Sequence, residues 1–315
     1  MNGGNGVKIF GGSASQRLAG EISTILGIEL GKADVHHFSE GNTFVRVQEK
    51  VRDKDVYIIQ TIGRTPNDDF MELLFWIDAF RRASAGSITA IIPYFSYAKG
   101  DKKDEPRVSI RARVCADCLE AEGVDRIVTM DLHSPQIQGF FMKPVDHLYG
   151  LPTLCDAIGS MNLPNLVIVS PDAGFAKNAR MYADRLRVGV AIGDKTRVAH
   201  DEKAQVLDLI GDVRGKTAMI VDDFTISCGT LIETARMLEA RGAQRILACV
   251  SHALLGPEGV TRLMDSPIEQ LLITDTVENP ATQSCPKVKT VSIAPLFAQA
   301  IDIIQHRESL SSLFD

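Results

Sequence analysis

The chain has no apolar run near the roughly 20 residues that a membrane-spanning helix needs. Its start lacks the basic, apolar and small-residue pattern of a secretory signal. No membrane partner is expected, and the expected location is the cytoplasm. A cationic excess is also missing. Lys and Arg number 34 against 40 Asp and Glu, a net charge of −6, which argues against a general nucleic-acid surface. The six cysteines do not form a disulfide framework in a chain this long. Cys115-Ala116-Asp117-Cys118 has neither a second pair nor a histidine cluster to make a zinc site, so two buried thiols in a helix are expected. An intact P-loop is absent too. Gly211-Asp212-Val213-Arg214-Gly215-Lys216-Thr217 is one residue short between its glycines and precedes a strand, where a P-loop follows one. Gly3-Gly4-Asn5-Gly6 lacks the G-x-G-x-x-G spacing. Any ATP site here uses neither motif.

Short apolar runs alternate with helical patterns. In the first half, strands are expected at Val7–Phe10, Val35–Phe38, Val56–Gln60, Ile88–Pro93 and Arg126–Asp131. Helices are expected at Ser15–Gly27, Asp69–Ala85 and Ile110–Glu122. In the second half, strands Leu166–Ser170, Val188–Ile192, Ala218–Val221, Ile246–Val250 and Gln270–Thr274 surround helices near Ala176–Arg185, Leu231–Arg241 and Val260–Met264. A last helix is expected at Leu296–Arg307. This rhythm predicts an α/β fold with parallel sheets flanked by helices. At 315 residues there is length for about two domains, and Gly150 and Pro152 punctuate a boundary near Leu148–Pro152. In open parallel sheets ligands bind beyond the carboxyl ends of the strands, so polar residues there are the candidates.

The most informative such end is Ala218–Leu231. Four apolar residues read as a buried strand stopped by Asp222 and Asp223, followed by a loop of small residues and a helix from Leu231. Unpaired N–H groups and the helix dipole favour an anion there. Gly229 allows close approach, and Ser227 and Thr230 add hydroxyl donors. The two acids would repel a bare phosphate, so the ligand that suits both halves carries phosphate plus hydroxyls or a cation. A sugar phosphate does. An ordinary strand-to-helix turn with Asp near the helix start fits the pattern equally well.

Other strand ends carry Asp131-Leu132-His133-Ser134, where His133 can bind metal or move a proton, and Ser170-Pro171-Asp172-Ala173-Gly174, where Asp172 suits Mg²⁺ or a helix cap. Gly193-Asp194-Lys195-Thr196-Arg197 places two cations in a loop that can clamp a phosphoryl group or be a solvated surface. The segment Tyr97–Arg107, rich in both charge signs, can neutralise polyphosphate or be a charged lid.

Together these segments resemble one family over nearly the full length, the ribose-phosphate pyrophosphokinases. Further collinear matches are Asn67–Leu74, Ile91–Ala98, Asp131–Phe141, Val145–Tyr149, Val169–Gly174 and Leu209–Val213. The resemblance implies two similar phosphoribosyltransferase-like domains, residues 1–148 with the returning C-terminal helix 296–315, and residues 149–295. It implies Mg²⁺-dependent transfer of the diphosphoryl group of ATP to O1 of ribose 5-phosphate, giving AMP and phosphoribosyl pyrophosphate (PRPP). By position, Lys195, Arg197 and His133 are the implied catalytic residues, and His133 and Asp172 the metal–nucleotide contacts. Asp222, Asp223, Ser227, Cys228, Gly229 and Thr230 are the implied ribose 5-phosphate cradle. Lys99, Gly100 and Asp104 fall at the nucleotide. Phe38, Glu40 and Asn42 fall where the family contacts adenine from a neighbouring subunit, implying a homo-oligomer, often a hexamer of dimers.

Several positions depart from the family pattern. Ile226 stands for a third acid, Lys99-Gly100 for Arg-Gln, Asn42 for Glu, and Phe175 for Gly. Lys50-Val51-Arg52 stands for Ser-Val-Arg near the site where phosphate and ADP act as effectors. Two further readings follow: a catalytically weak regulatory homologue that assembles with an active synthetase, and a phosphoribosyltransferase that consumes PRPP.

Overall fold

The computed structural model describes residues 6–196 and 205–313. The chain divides into two compact units. The first runs through Tyr149 and adds Thr276–Glu278 and the chain from Ile293 onward; the second comprises Gly150–Asp275 and Asn279–Ser292.

The first unit is built on a five-stranded parallel sheet. Its strands are β1 (Val7–Gly11), β4 (Asp55–Ile59), β5 (Ser87–Ile92), β6 (Arg126–Met130) and β7 (Val145–Leu148), side by side in that order. The period of two along each strand separates two cores. In β4, Val56 and Ile58 join Phe10, Trp76 and Phe80 on one face. Tyr57 and Ile59 join Leu18, Ile22 and Phe297 on the other. Helices α2 (Pro66–Arg82) and α3 (Arg111–Glu122) cover the first face. Helix α1 (Gln16–Leu26) and the C-terminal helix Ala294–Gln305 cover the second.

Local chemistry sets the helix ends. α1 and α3 stop at Gly27 and Gly123, both left-handed. α2 begins at Pro66, three residues before the expected start, because proline's missing N–H and fixed φ suit the first helical position. Asp68 and Asp69 in its first turn and Arg81 and Arg82 in its last match the helix dipole.

One expected strand has a different partner. Residues 33–37 are not in the main sheet but form an antiparallel hairpin of β2 (Ala33–His37) and β3 (Thr43–Val47). The alternation in β3 explains this: Val45 and Val47 pack on the core while Phe44 and Arg46 face outward.

The second unit holds a seven-stranded sheet. Its strands are β8 (Leu166–Ser170), β9 (Gly189–Thr196), β10 (Gln205–Ile210), β11 (Thr217–Thr225), β12 (Arg245–Ala253), β13 (Gln270–Thr274) and β14 (Val288–Val291). The spatial order is β10-β9-β8-β11-β12-β13-β14, parallel except for β10. Helices α4 (Leu151–Ser160) and α5 (Ala176–Leu186) pack on one face, with Met219 and Val221 of β11. Helix α6 (Gly229–Ala240) packs on the other, with Ala218 and Ile220. A further helix, α7 (Pro257–Met264), follows β12.

Candidate active site

The strand β11 does not stop at its two acids. It continues through both, and Asp222 and Phe224 stay in register with Val250 and His252 of β12. The four apolar residues locate the strand's core, but pairing with the long β12 carries it past the polarity change. The Asp223 N–H donates to Asp222 Oδ1 at 3.0 Å, and the Phe224 N–H donates to Asp223 Oδ1 at 2.8 Å. Burial first, then the adjacent Asp223, hold the Asp222 carboxyl well above the usual carboxylate range, and Asp172 adds to the effect. Ionising a carboxyl in that position costs more than usual, and a nearby cation or donor would favour the charged form. The second unit therefore brings Asp172, Asp222 and Asp223 into one electrostatic cluster.

Beyond the acids the loop turns into α6. Thr225 Oγ1 accepts the Cys228 N–H at 3.1 Å, and Ser227 Oγ accepts the Gly229 N–H at 3.4 Å. Cys228 takes a left-handed conformation, φ 58°, and the helix begins at Gly229, two residues before the expected start. The Cys228 side chain turns into the core and away from the loop mouth. Its thiol is fully buried among Leu231, Leu255 and Cys285, and burial pushes its pKa up to about 11. Cys228 shapes the turn from inside the core, while Ser227 is exposed. No acid lies in the first turn of α6, so the positive end of the helix dipole is not offset there. Ile226 is 51% exposed at the loop tip, an apolar side chain in a polar mouth.

A cation that the sequence reading missed stands beside this loop. Arg262 of α7 brings Nη2 to 3.7 Å from where a Cβ on Gly229 would lie. Gly259 allows that approach, since its own Cβ would lie 3.5 Å from both Ile226 O and Ser227 Cα. Nothing in the linear pattern marks Arg262, because it lies 33 positions after Gly229 and only the packing of α7 joins them.

Asp172 braces the turn before α5. Its Oδ1 accepts N–H bonds from Gly174 at 2.9 Å and Phe175 at 3.2 Å. Phe175 packs against the core with α4 and α5, so the substitution for glycine fills the interior. Lys195 lies on strand β9, opposite Val206 of β10, where a loop was expected. Antiparallel pairing extends this arm past the apolar run that ends at Ile192. Arg197 lies outside the described residues.

In the first unit, His133 follows a strained turn. Asp131 has φ 41°, uncommon for a non-glycine residue. The Leu132 N–H donates to Nε2 of the buried His147 at 2.8 Å. Leu132 is thereby anchored in the core while His133 is exposed. His147 is thus a positioning residue that the sequence reading quoted but gave no role. Lys99, Gly100 and Asp104 share one cleft of about 470 Å³. Phe38 is 41% exposed and lines a different cleft, with Phe44 and Arg46. Glu40 and Asn42 sit in the hairpin turn, where the Phe38 N–H donates to the Asn42 carbonyl at 2.8 Å. Within this unit the two sets of nucleotide candidates stay apart.

Cys115 is buried, with its pKa pushed up to about 12, but Cys118 is only half-buried, which corrects the expectation of two buried thiols. Among the described residues, no three His, Cys, Asp or Glu side chains converge as a metal site by themselves. One or two carboxylates together with substrate phosphates suit Mg²⁺, and the carboxylates at Asp172, Asp222 and Asp223 fit that chemistry.

Comparison with known proteins follows the same segments. The family described as the N-terminal domain of ribose phosphate pyrophosphokinase matches residues 7–123, and the phosphoribosyl synthetase-associated domain matches residues 195–315. Ribose-phosphate pyrophosphokinase A of Dictyostelium discoideum is 45% identical over 313 residues, covering 99% of this chain and 98% of that one. Ribose-phosphate pyrophosphokinase of Campylobacter jejuni is 43% identical over 309 residues, covering 98% and 99%. The crystal structure of phosphoribosylpyrophosphate synthetase from Mycobacterium smegmatis superposes with a TM-score of 0.90 at 35% identity, covering 96% of this chain and all of that one. That likeness bears out the α/β fold with parallel sheets in both halves. On these matches the chain belongs to the ribose-phosphate pyrophosphokinase family.

Proposed function

We propose that this chain transfers the diphosphoryl group of ATP to O1 of ribose 5-phosphate, releasing AMP and forming PRPP. The observation that carries the reading is the end of β11. Two carboxyl groups, one with its pKa held above the ordinary range by burial and by its neighbour, stand beside an acid-free helix N-terminus with exposed Ser227. That pairing suits a ligand with hydroxyls at one end and a phosphate at the other. Asp222 and Asp223 would hold the ribose hydroxyls. Ser227, Gly229 and Thr230 would hold the 5-phosphate, with Cys228 setting the turn. This loop belongs to the second unit, Gly150–Asp275 with Asn279–Ser292.

The nucleotide half comes from Lys99, Gly100, Asp104 and His133, with Phe38, Glu40 and Asn42 offered to a neighbouring copy in a homo-oligomer. The exposed Phe38 supports an adenine-stacking role. Lys195 and Arg197 neutralise charge as the diphosphoryl group moves, which is where attack at phosphorus gains most. Mg²⁺, which Asp172 and the substrate phosphates would hold, would supply further charge neutralisation. Exposed Lys50 and Arg52 flank the buried Val51 and are the candidate contacts for phosphate or ADP as effectors. The proposed location is the cytoplasm.

The regulatory reading has no observation in its favour, since the relatives compared above carry the enzyme's own name. The test is incubation of the isolated chain with ribose 5-phosphate, Mg²⁺ and each of several nucleoside triphosphates. AMP and PRPP are expected in equal amounts with ATP. Formation of ADP, or of no monophosphate with any donor, would contradict the reading.

A further inference from the structure

The cleft at Lys99 holds a cation that the family resemblance does not bring to notice. Arg111 is the first residue of α3, and its side chain lines the same cleft as Lys99, Gly100, Lys102 and Asp104. It lies against Gly100. A Cβ on Gly100 would stand 2.5 Å from Arg111 Nε, 3.0 Å from its Cβ and 3.2 Å from Cζ. Any other residue at position 100 would therefore displace this guanidinium.

Backbone conformation does not require that glycine. Gly100 has φ −105° and ψ 54°, outside the left-handed region. Its role is to leave space. The spacing is fixed, because the Gly100 carbonyl accepts the Ala112 N–H at 3.1 Å. The loop and the start of α3 are tied together at the point where the side chain passes.

Arg111 is also badly placed for an ordinary surface cation. The N-terminal end of a helix disfavours positive charge, and α3 has no acid in its first turn to offset it. Two positions on, Arg113 pairs with Asp117 one turn below at 2.6 Å. The matching position for Arg111 is the buried Cys115. The exposed Arg111 side chain makes no ion pair or hydrogen bond among the described residues. An anion in the cleft would meet the guanidinium and the unopposed helix end together. Lys99 cannot take the same part. Its ammonium is a point charge, 5.8 Å from the centre of the Tyr94 ring, whereas a guanidinium grips a phosphate through two parallel N–H bonds.

We propose that Gly100 and Arg111 work as a pair: Gly100 opens the space and Arg111 fills it, supplying the bidentate contact to the triphosphate of the nucleotide donor. This rests on the reading of the cleft as the nucleotide site.

The test uses the full-length protein, with Mg²⁺ and α,β-methylene-ATP as the calorimetric probe, because its scissile linkage cannot break. Arg111→Met keeps the aliphatic bulk and should weaken binding about tenfold. The KM for ATP should rise by a similar factor while the KM for ribose 5-phosphate moves by less than about twofold. Arg111→Lys should recover only part of the loss. Gly100→Ala should reproduce Arg111→Met by displacing the guanidinium, and the double variant should be no weaker than either single one. Thermal unfolding should show all variants folded. Arg111→Met binding the probe as tightly as the wild type would overturn the pairing, and would leave the enzymatic reading intact if the wild type still releases AMP. Arg111-dependent binding without AMP release would keep the phosphate site and sink the reaction. A wild-type chain that neither binds the probe nor turns over would sink both.

Discussion

Replacing Asp222 by Asn separates what this residue does for the reaction from what it does to the fold. The carboxyl sits half-buried between Asp223 and the turn at Asp172, and its pKa is held well above the ordinary range by burial and by the Asp223 charge. In the unfolded chain it ionises near about 3.9. Between that pH and the raised folded value, the folded state binds more protons than the unfolded one. Stability from this group is therefore greatest at low pH and falls as pH rises through the window. Asn removes the charge and keeps an amide oxygen that can accept the Asp223 N–H, the bond measured at 3.0 Å. Relief of one such like-charge contact is worth about 1 kcal/mol, or about 2–4 °C in unfolding midpoint for a chain of this size. Thermal scans of both proteins without ligand, from pH 5 to pH 8, read this directly. The midpoint of Asp222→Asn should exceed that of the wild type, with a gap that widens as pH rises. Turnover should fall at the same time, and ribose 5-phosphate with Mg²⁺ should no longer raise the midpoint. A variant less stable than the wild type at every pH would refute the reasoning, because the carboxylate's hydrogen bonds would then outweigh its repulsion.

Lys195→Ala should lower kcat by about 10²–10³-fold while changing substrate binding far less, since the contact strengthens as charge develops in the transition state; equal loss in binding with kcat unchanged would contradict that role. Ile226→Asp should alter the KM for ribose 5-phosphate. Because Ile226 is already 51% exposed, the fold should lose no more than about 1 kcal/mol of burial; an unchanged KM in a folded variant would mean that a third acid at the loop tip has no part in binding the sugar.

The framework of strands was legible because most are buried runs without polar alternation, as at Ile88–Pro93 and Leu166–Ser170, where the structure agrees to within a residue. Legibility failed where tertiary pairing overrode polarity. Asp222 and Asp223 signal a stop, yet β12 holds β11 extended to Thr225. The β9 arm likewise outruns its apolar residues because β10 pairs with it. For the site, spacing led to Asp172, His133 and the residues after β11, since strand ends and loop composition are local signals. It gave no sign of the inward-pointing Cys228 thiol, because a loop cysteine does not reveal a left-handed turn. It could not find Arg262 or the contact of Gly100 with Arg111, which exist only once α7 and α3 have packed.

The central claim is that an intact diphosphoryl group moves from ATP to O1 of ribose 5-phosphate. Phosphorus NMR of the isolated chain with Mg-ATP and ribose 5-phosphate tests it most directly. The account predicts a new pair of mutually coupled diphosphate resonances on the sugar, growing in step with AMP and requiring both substrates. A single new phosphoryl resonance accompanied by ADP would contradict it.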